Sequence, residues 1–303
     1  MSRIHEALKK AAQERSSRLS SGTSTDFVDL TTDVVRTTVP LEDRAAPLPD
    51  DLPPRGDSSL RFEELVKKCA HPKWQLDPRM NVFLGANSNE IDAESFRTLR
   101  SRLYQIAGTR QLKSVLVTSS IPEEGKTFVA ANLAQCIVRQ DRRRVLLIDA
   151  DLRLSRLHQV LGAPVTPGLT EYLRGEADES AVIQQGEGNL CFIPGGSPVS
   201  NPSELLLGAR MKQLLELVSP AFDWLIVDSP PTLPVHDASL LADLCDGVLF
   251  VVRAGKTDFE LAEKASSEFQ EKNLLGVVLN RVEKNESYGG YYYGYQDMDK
   301  KKA

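Results

Sequence analysis

The residue pattern predicts an α/β protein: a mostly parallel β-sheet with helices on both faces, preceded by a disordered N-terminal region. Three observations predict it. Six short runs are apolar at nearly every position: SVLVTS (114–119), RVLLID (144–149), LCFIP (190–194), DWLIVD (223–228), GVLFVV (247–252) and LGVVLN (275–280). Strands with one wet face alternate polar and apolar residues, whereas runs without alternation are covered on both faces. Segments of helical length separate the runs, including 125–140, 202–218, 236–245 and 257–272. Strand–helix alternation of this kind builds parallel pairs through crossover helices. Residues 19–58 differ from all of this. Stretches such as SSGTSTD and APLPDDLPPRGDSS hold too few large apolar side chains to offset the entropy of folding.

Residues 2–18 have a helical pattern: Ser2 is placed as an N-cap, and Ile4, Leu8 and Ala11 or Ala12 share a face. Arg3, Lys9, Lys10, Arg15 and Arg18 outnumber Glu6 and Glu14 on the other faces. A helix this short is marginal alone. It is either a frayed, solvated helix or a docking helix for a protein or an anionic membrane surface. A helix is also expected over Leu60–Cys69. In IDAESFRTLRSRLYQIAG, Phe96, Leu99, Leu103 and Ile106 line one side of a longer helix. The chain thus divides into an N-terminal amphipathic helix (1–18), a mostly disordered linker (19–84), the sheet domain (85–283) and a flexible tail (284–303). Five of the seven tyrosines lie in that tail, as Tyr288, Tyr291, Tyr292, Tyr293 and Tyr295, interleaved with Gly289, Gly290 and Gly294.

A net charge of −5 over 303 residues gives no overall attraction to nucleic acid. Cys69, Cys136, Cys191 and Cys245 are scattered singly, with no CxxC pair, which reads as reduced thiols in a cytoplasmic protein rather than a disulfide or zinc framework. The N-terminus lacks the apolar core of a signal peptide, and no run approaches the ~20 apolar residues that span a bilayer. Any membrane role is therefore expected to come through a partner.

Ligands of such folds bind beyond the C-terminal ends of the strands, so the chemistry should follow Ser119, Ile148 and Val227. The first strand runs into SIPEEGKTFVAANLAQ, where Gly125-Lys126-Thr127 opens a helix. That is the context of a phosphate-binding loop: helix N-terminal amides face phosphates, Lys126 adds a point charge, and the Thr127 hydroxyl can reach Mg²⁺. Ser120 stands where G-x-x-x-x-G-K-[ST] requires its first Gly. VLLIDADLR delivers Asp149 and Asp151 to the same sheet edge, and DWLIVDSPP delivers Asp228. A lone strand-end Asp commonly caps a helix. Three strand ends bringing GKT, DAD and DSPP together point instead to a Mg²⁺–nucleotide site, with Thr127, Asp149 and Asp228 as metal ligands. Asp151, two residues beyond Asp149, projects to the same side. Lys126 is the candidate for stabilising phosphate charge; Asp149 and Asp151 are the candidate bases, and which of those two fills the role stays open. Arg153 either contacts phosphate or pairs with a nearby Asp.

Together these motifs resemble the bacterial tyrosine kinases of polysaccharide biosynthesis, a branch of the deviant-Walker P-loop NTPases. SIPEEGKT matches their Walker A motif, VLLIDADLR their Walker A′ and WLIVDSPP their Walker B. ESFRTLR supplies the family's E-x-x-R-x-x-R as Glu94, Arg97 and Arg100, which the resemblance assigns to contacts between neighbouring subunits of a ring, an octamer being one candidate size. The lysine that marks the partitioning ATPases would fall at Ile121, so that branch is disfavoured. The resemblance spans about residues 85–295.

It implies a nucleotide held by Ser120, Glu124, Gly125, Lys126, Thr127 and Phe128, with Asn280 either contacting the adenine or serving as a strand-end turn residue. The implied activity is ATP-dependent phosphorylation of the tyrosine tail on a neighbouring subunit, regulating capsular or exopolysaccharide synthesis and export. The implied partners are the cytoplasmic tail of a membrane-anchored polysaccharide co-polymerase as activator, and an opposing protein-tyrosine phosphatase. The expected location is the cytoplasm, at the inner face of the cell membrane. A positioning ATPase without kinase activity is the alternative, but it has no use for terminal tyrosines.

Overall fold

The structure is a computed structural model that describes residues 61–84 and 90–282. The helix expected over 2–18, most of the linker and the tail tyrosines Tyr288, Tyr291, Tyr292, Tyr293 and Tyr295 lie outside the described residues. Seven strands form one sheet: β1 (Ser114–Ser119), β2 (Val145–Asp149), β3 (Gln184–Gln185), β4 (Leu190–Ile193), β5 (Trp224–Asp228), β6 (Gly247–Arg253) and β7 (Leu274–Asn280). Their order is β3-β4-β2-β5-β1-β6-β7. Every pair is parallel except β3 with β4. All six apolar runs are strands of this sheet, within a residue of their expected ends.

The absence of alternation in those runs has a direct cause. Along β2, Leu146 and Ile148 enter one core while Val145 and Leu147 enter the other. Two helical layers supply these cores. On one face, α2 (Glu90–Ala107) and α3 (Lys126–Val138) bury Phe96, Leu99, Leu133 and Ile137. On the other, α8 (Ala209–Val218), α9 (Asp237–Ala242) and α10 (Phe259–Ser267) bury Met211, Leu214, Leu241 and Ala262.

Two expectations need correction. The segment 202–218 is two helices, α7 (Pro202–Leu207) and α8, because Gly208 between them is extended at φ −61°, ψ 150°; glycine has the least to lose by leaving a helix. The linker expected to run to residue 84 stops short of it. Residues 61–84 pack on the sheet domain, beginning with α1 (Phe62–Lys68). Phe62 and Leu65 are buried, and the Phe62 ring meets Phe222 edge-on at 5.5 Å. Ala70 bridges to Gln184 at the sheet edge, and Trp74 meets Phe192 at 6.0 Å. The buried Asn132 side chain of α3 accepts from the Val82 amide and donates to the Met80 carbonyl, each at 2.9 Å. α1 lies within the helix expected over Leu60–Cys69; residues 70–84 form no helix and lay Trp74, Leu76, Met80, Val82 and Phe83 on the other core, so they carry no period that a sequence could reveal. Four short elements were likewise invisible: α4 (Leu157–Leu161), α5 (Leu169–Arg174), α6 (Glu179–Val182) and β3.

Candidate active site

The three motif-bearing strands lie side by side, β2-β5-β1, in the middle of the sheet. Asp149 stands beside Asp228 in the ladder, and the Ala150 amide donates to the Asp228 carbonyl at 2.8 Å. The loop after β1 is tied to the loop after β5 by Thr232 N–H to Ser119 O (2.9 Å) and Leu233 N–H to Ser120 O (3.1 Å). Gly125 enters α3 at φ +97°, and a Cβ there would lie 1.9 Å from Asn280 Nδ2, so the position admits only glycine. Ser120 is tolerated in place of the usual Gly because its φ is not positive.

Lys126, Thr127, Asp151 and Asp228 come together as one cluster. Lys126 Nζ lies 2.8 Å from Asp151 Oδ2, 3.4 Å from Thr127 Oγ1 and 4.0 Å from Asp228 Oδ1. The Thr127 hydroxyl donates to Asp228 Oδ2 at 2.7 Å. Asp149 is held more tightly: Oδ2 accepts from Ser155 Oγ (2.7 Å) and Leu157 N–H (3.1 Å), and Oδ1 from Asp151 N–H (3.2 Å). Asp151 Oδ1 accepts from Leu154 N–H at 3.0 Å.

Three buried carboxylates thus share one ammonium. Burial, with the neighbouring Asp228 charge, pushes Asp149 up to about 7. Burial pushes Asp228 up to about 6, although Lys126 and the Thr127 hydroxyl oppose it. Burial lowers the Lys126 ammonium, but Asp228 and Asp151 outweigh that and leave it raised. The cluster therefore has the charge deficit that a divalent cation would fill. Its donors are all hard oxygens, and Asp228 Oδ1 is buried without a hydrogen-bond partner beside the Thr127 hydroxyl. These residues fit Mg²⁺. Among the described residues no set of three or more His, Cys, Asp or Glu side chains forms a self-sufficient metal site; Mg²⁺ at a phosphate loop draws its remaining ligands from phosphate and water.

Four expected cofactor contacts take a different form here. The Phe128 ring is buried against Phe96 at 6.0 Å, so only its backbone amide, in the first turn of α3, is available to phosphate. Of the two roles open to Arg153, the structure shows the ion pair: Nε bonds Asp237 Oδ2 and Nη2 bonds Ser203 Oγ, each at 2.8 Å. Asn280 spends its amide on the loop itself, donating Nδ2–H to Glu124 O at 2.8 Å and accepting from Arg281 N–H at 2.9 Å, which disfavours the adenine contact. The Glu124 carboxylate turns inward to Ile121 N–H (2.8 Å) and Thr257 Oγ1 (2.5 Å). Burial raises its pKa, opposed by those donors. Sequence reasoning missed Ser155, Thr257 and Asp237, none of which belongs to a spaced motif.

On α2, Glu94 and Arg97 pair at 2.8 Å on an exposed surface, whereas Arg100 donates to the Cys136 carbonyl of its own α3 at 2.9 Å. Arg97, Arg100, Arg139 and Phe83 border a cavity of about 530 Å³ on this side.

Residues 115–300 match the model of the CobQ/CobB/MinD/ParA nucleotide binding domain. The tyrosine-protein kinase YwqD of Bacillus subtilis (strain 168) is 38% identical over 222 residues, covering 72% of this chain and 92% of that protein. The tyrosine-protein kinase etk of Escherichia coli (strain K12) is 35% identical over 228 residues. The match to etk covers 74% of this chain but only 31% of that longer protein. Among solved structures, the kinase domain of Escherichia coli tyrosine kinase ETK superposes with a TM-score of 0.62 at 34% identity, covering 67% of this chain and 80% of that one. The chimerical protein CapA2B2 gives 0.64 at 27% identity, covering 74% and 100%. With its three nucleotide motifs converging on one sheet edge, the chain belongs to the CobQ/CobB/MinD/ParA nucleotide-binding family and, within it, to the bacterial tyrosine kinases.

Proposed function

We propose that this protein is an ATP-dependent protein-tyrosine autokinase that phosphorylates the tyrosines of its own C-terminal tail in trans, within a ring of identical subunits. The observation that carries the proposal is the convergence of Lys126, Thr127, Asp151 and Asp228 on one sheet edge, in a chain that ends in five clustered tyrosines. Thr127 and Asp228 hold Mg²⁺, with Asp149 beside them. Bound Mg²⁺–ATP supplies the phosphoryl group and the charge that polarises it. Lys126 and the loop amides neutralise phosphate charge. Asp151 is the better-placed base: its Oδ2 is held only by the Lys126 ammonium, which bound phosphate would draw away, whereas Asp149 has both oxygens held by Ser155, Leu157 N–H and the Asp151 amide. A tyrosine hydroxyl with a pKa near ~10 is almost wholly protonated at neutral pH, and a positioned carboxylate that takes its proton contributes roughly 10²- to 10⁴-fold.

The tail is a tethered acceptor. If the Gly-rich tail behaves as the linker its sequence predicts, about fifteen residues would span ~20 Å r.m.s., which corresponds to a millimolar effective concentration at a neighbouring site. Each added phosphate brings about −1.5 to −2 charges, so a multiply phosphorylated tail repels itself and the acidic cluster, and ring contacts through Glu94, Arg97 and Arg100 weaken. Assembly would then gate capsular or exopolysaccharide export, under a membrane-anchored activator and an opposing phosphatase. The test is incubation of the purified protein with Mg–ATP and an activator tail, followed by mass-spectrometric mapping. Phosphate should appear within Tyr288–Tyr295 and be absent from Lys126→Met protein. ATP hydrolysis without tyrosine phosphate would favour a positioning ATPase instead.

A further inference from the structure

The Glu124 side chain presents an electrostatic puzzle. It is a carboxylate, 1% exposed, within a loop that binds anions. Its contacts resolve this. One oxygen accepts from Ile121 N–H of the same loop at 2.8 Å. The other accepts from the Thr257 hydroxyl at 2.5 Å and from Arg253 N–H at 3.4 Å. Arg253 is the last residue of β6, and Thr257 lies in the turn that follows it. The Glu124 carbonyl accepts from Asn280 at the end of β7 (2.8 Å), and the Asn280 carbonyl in turn accepts from Ala254 N–H (2.8 Å). Thr257 and Asn280 are 1% and 2% exposed, so water does not compete for these bonds. Glu123, just before Glu124, is held at φ +68°, a conformation that costs a non-glycine residue energy and needs support from its surroundings.

We propose that Thr257 is a positioning residue for nucleotide binding: acting through Glu124, and alongside Asn280, it holds the phosphate loop in its binding form before nucleotide arrives. No amide of the cradle then has to be reorganised on binding, and the affinity that would otherwise be lost to ordering the loop is kept. The proposal rests on nucleotide binding at this loop and not on the identity of the phosphate acceptor.

The test uses the full chain. Thr257→Val keeps the shape and removes the hydroxyl. In nucleotide-free protein it should speed amide hydrogen exchange across residues 121–128 relative to the sheet. It should also weaken Mg–ATP binding, measured at equilibrium without any acceptor, by about tenfold, as expected for loss of a hydrogen bond to a buried charge. Thr257→Ser should restore both readouts. Glu124→Gln should weaken binding as well, and the double variant should be little worse than either single one, because the two side chains act as a unit. If Thr257→Val folds poorly, Thr257→Ala supplies the same two readouts. Unchanged exchange at 121–128 with unchanged affinity would overturn the proposal, as would strictly additive effects in the double variant. A wild-type protein that binds no Mg–ATP would sink the nucleotide reading itself, while exchange at 121–128 would still report on the brace.

Discussion

Replacing Asp228 by asparagine should stabilise the nucleotide-free protein while destroying its response to Mg–ATP. Asp228 is fully buried, and its carboxyl is raised from 3.8 to about 6 by that burial. A carboxyl raised in the folded state binds its proton more tightly there than in the unfolded chain. Its contribution is therefore intact at acidic pH and is lost as pH rises from about 4 through about 6. A shift of about two units corresponds to roughly 3 kcal/mol at most, and the attraction to Lys126 is already included in it; asparagine reproduces the protonated carboxyl only in part and so recovers less than that. A net gain of about 2 kcal/mol is expected above pH 7, or roughly 4–8 °C in melting temperature for a domain of this size. Asparagine can still accept the Thr127 hydroxyl, so the packing survives.

The assay is thermal and urea unfolding of both proteins between pH 4.5 and 8.5, without and with Mg–ATP. The advantage of the variant should be small at the acid end and grow to a plateau near pH 7. With Mg–ATP the order should invert, because only the wild type gains binding free energy. A variant less stable than wild type at pH 8 without nucleotide, or a difference that does not change with pH, would refute the charge-deficit account of this cluster.

Three further outcomes are expected. Gly125→Ala should abolish Mg–ATP binding with little loss of fold, since the new Cβ would collide with Asn280 Nδ2 at a residue of φ +97°; isothermal titration measures it. Deleting residues 1–58 should leave the melting temperature within about 2 °C. Deleting 1–84 should lower it sharply, because truncating a single buried side chain of the Phe62 or Leu65 kind already costs about 2–5 kcal/mol, and scanning calorimetry separates the two cases. Mixing Lys126→Met protein that keeps its tail with catalytically intact protein lacking residues 284–303 should place phosphate on the former; none there would mean that phosphorylation occurs in cis.

The sheet and the site were legible for the same reason. Strands covered on both faces must be apolar at every position, so the six runs stood out, and a phosphate loop must follow such a strand and open a helix. Asp149, Asp151 and Asp228 follow from strand ends alone. What stayed hidden depends on tertiary placement. Thr257 and Ser155 act by a single hydrogen bond each, and no spacing rule leads to them. Arg153 had two chemically equal options, and the position of Asp237 on α9 decided between them. Beyond the helix expected over Leu60–Cys69, residues 70–84 read as linker because a segment that lies on the core without forming helix or long strand has neither the period of a helix nor the alternation of a strand.

The end of β7 links the fold to the proposed chemistry. Because β7 runs parallel to β6 and β1, its last residue, Asn280, arrives at the same edge as the phosphate loop and bonds Glu124 O at 2.8 Å. The strand that precedes the tyrosine-bearing residues therefore ends beside the candidate nucleotide site of its own subunit. Four strand spacings separate β7 from β2, or about 19 Å, and the eight residues from Arg281 to Tyr288 can extend to at most about 29 Å. Reach alone thus allows a tyrosine to approach Asp151 of its own subunit. Reach therefore does not decide between the subunit's own site and a neighbour's, and the mixed-subunit experiment bears on the architecture of the assembly as much as on the chemistry.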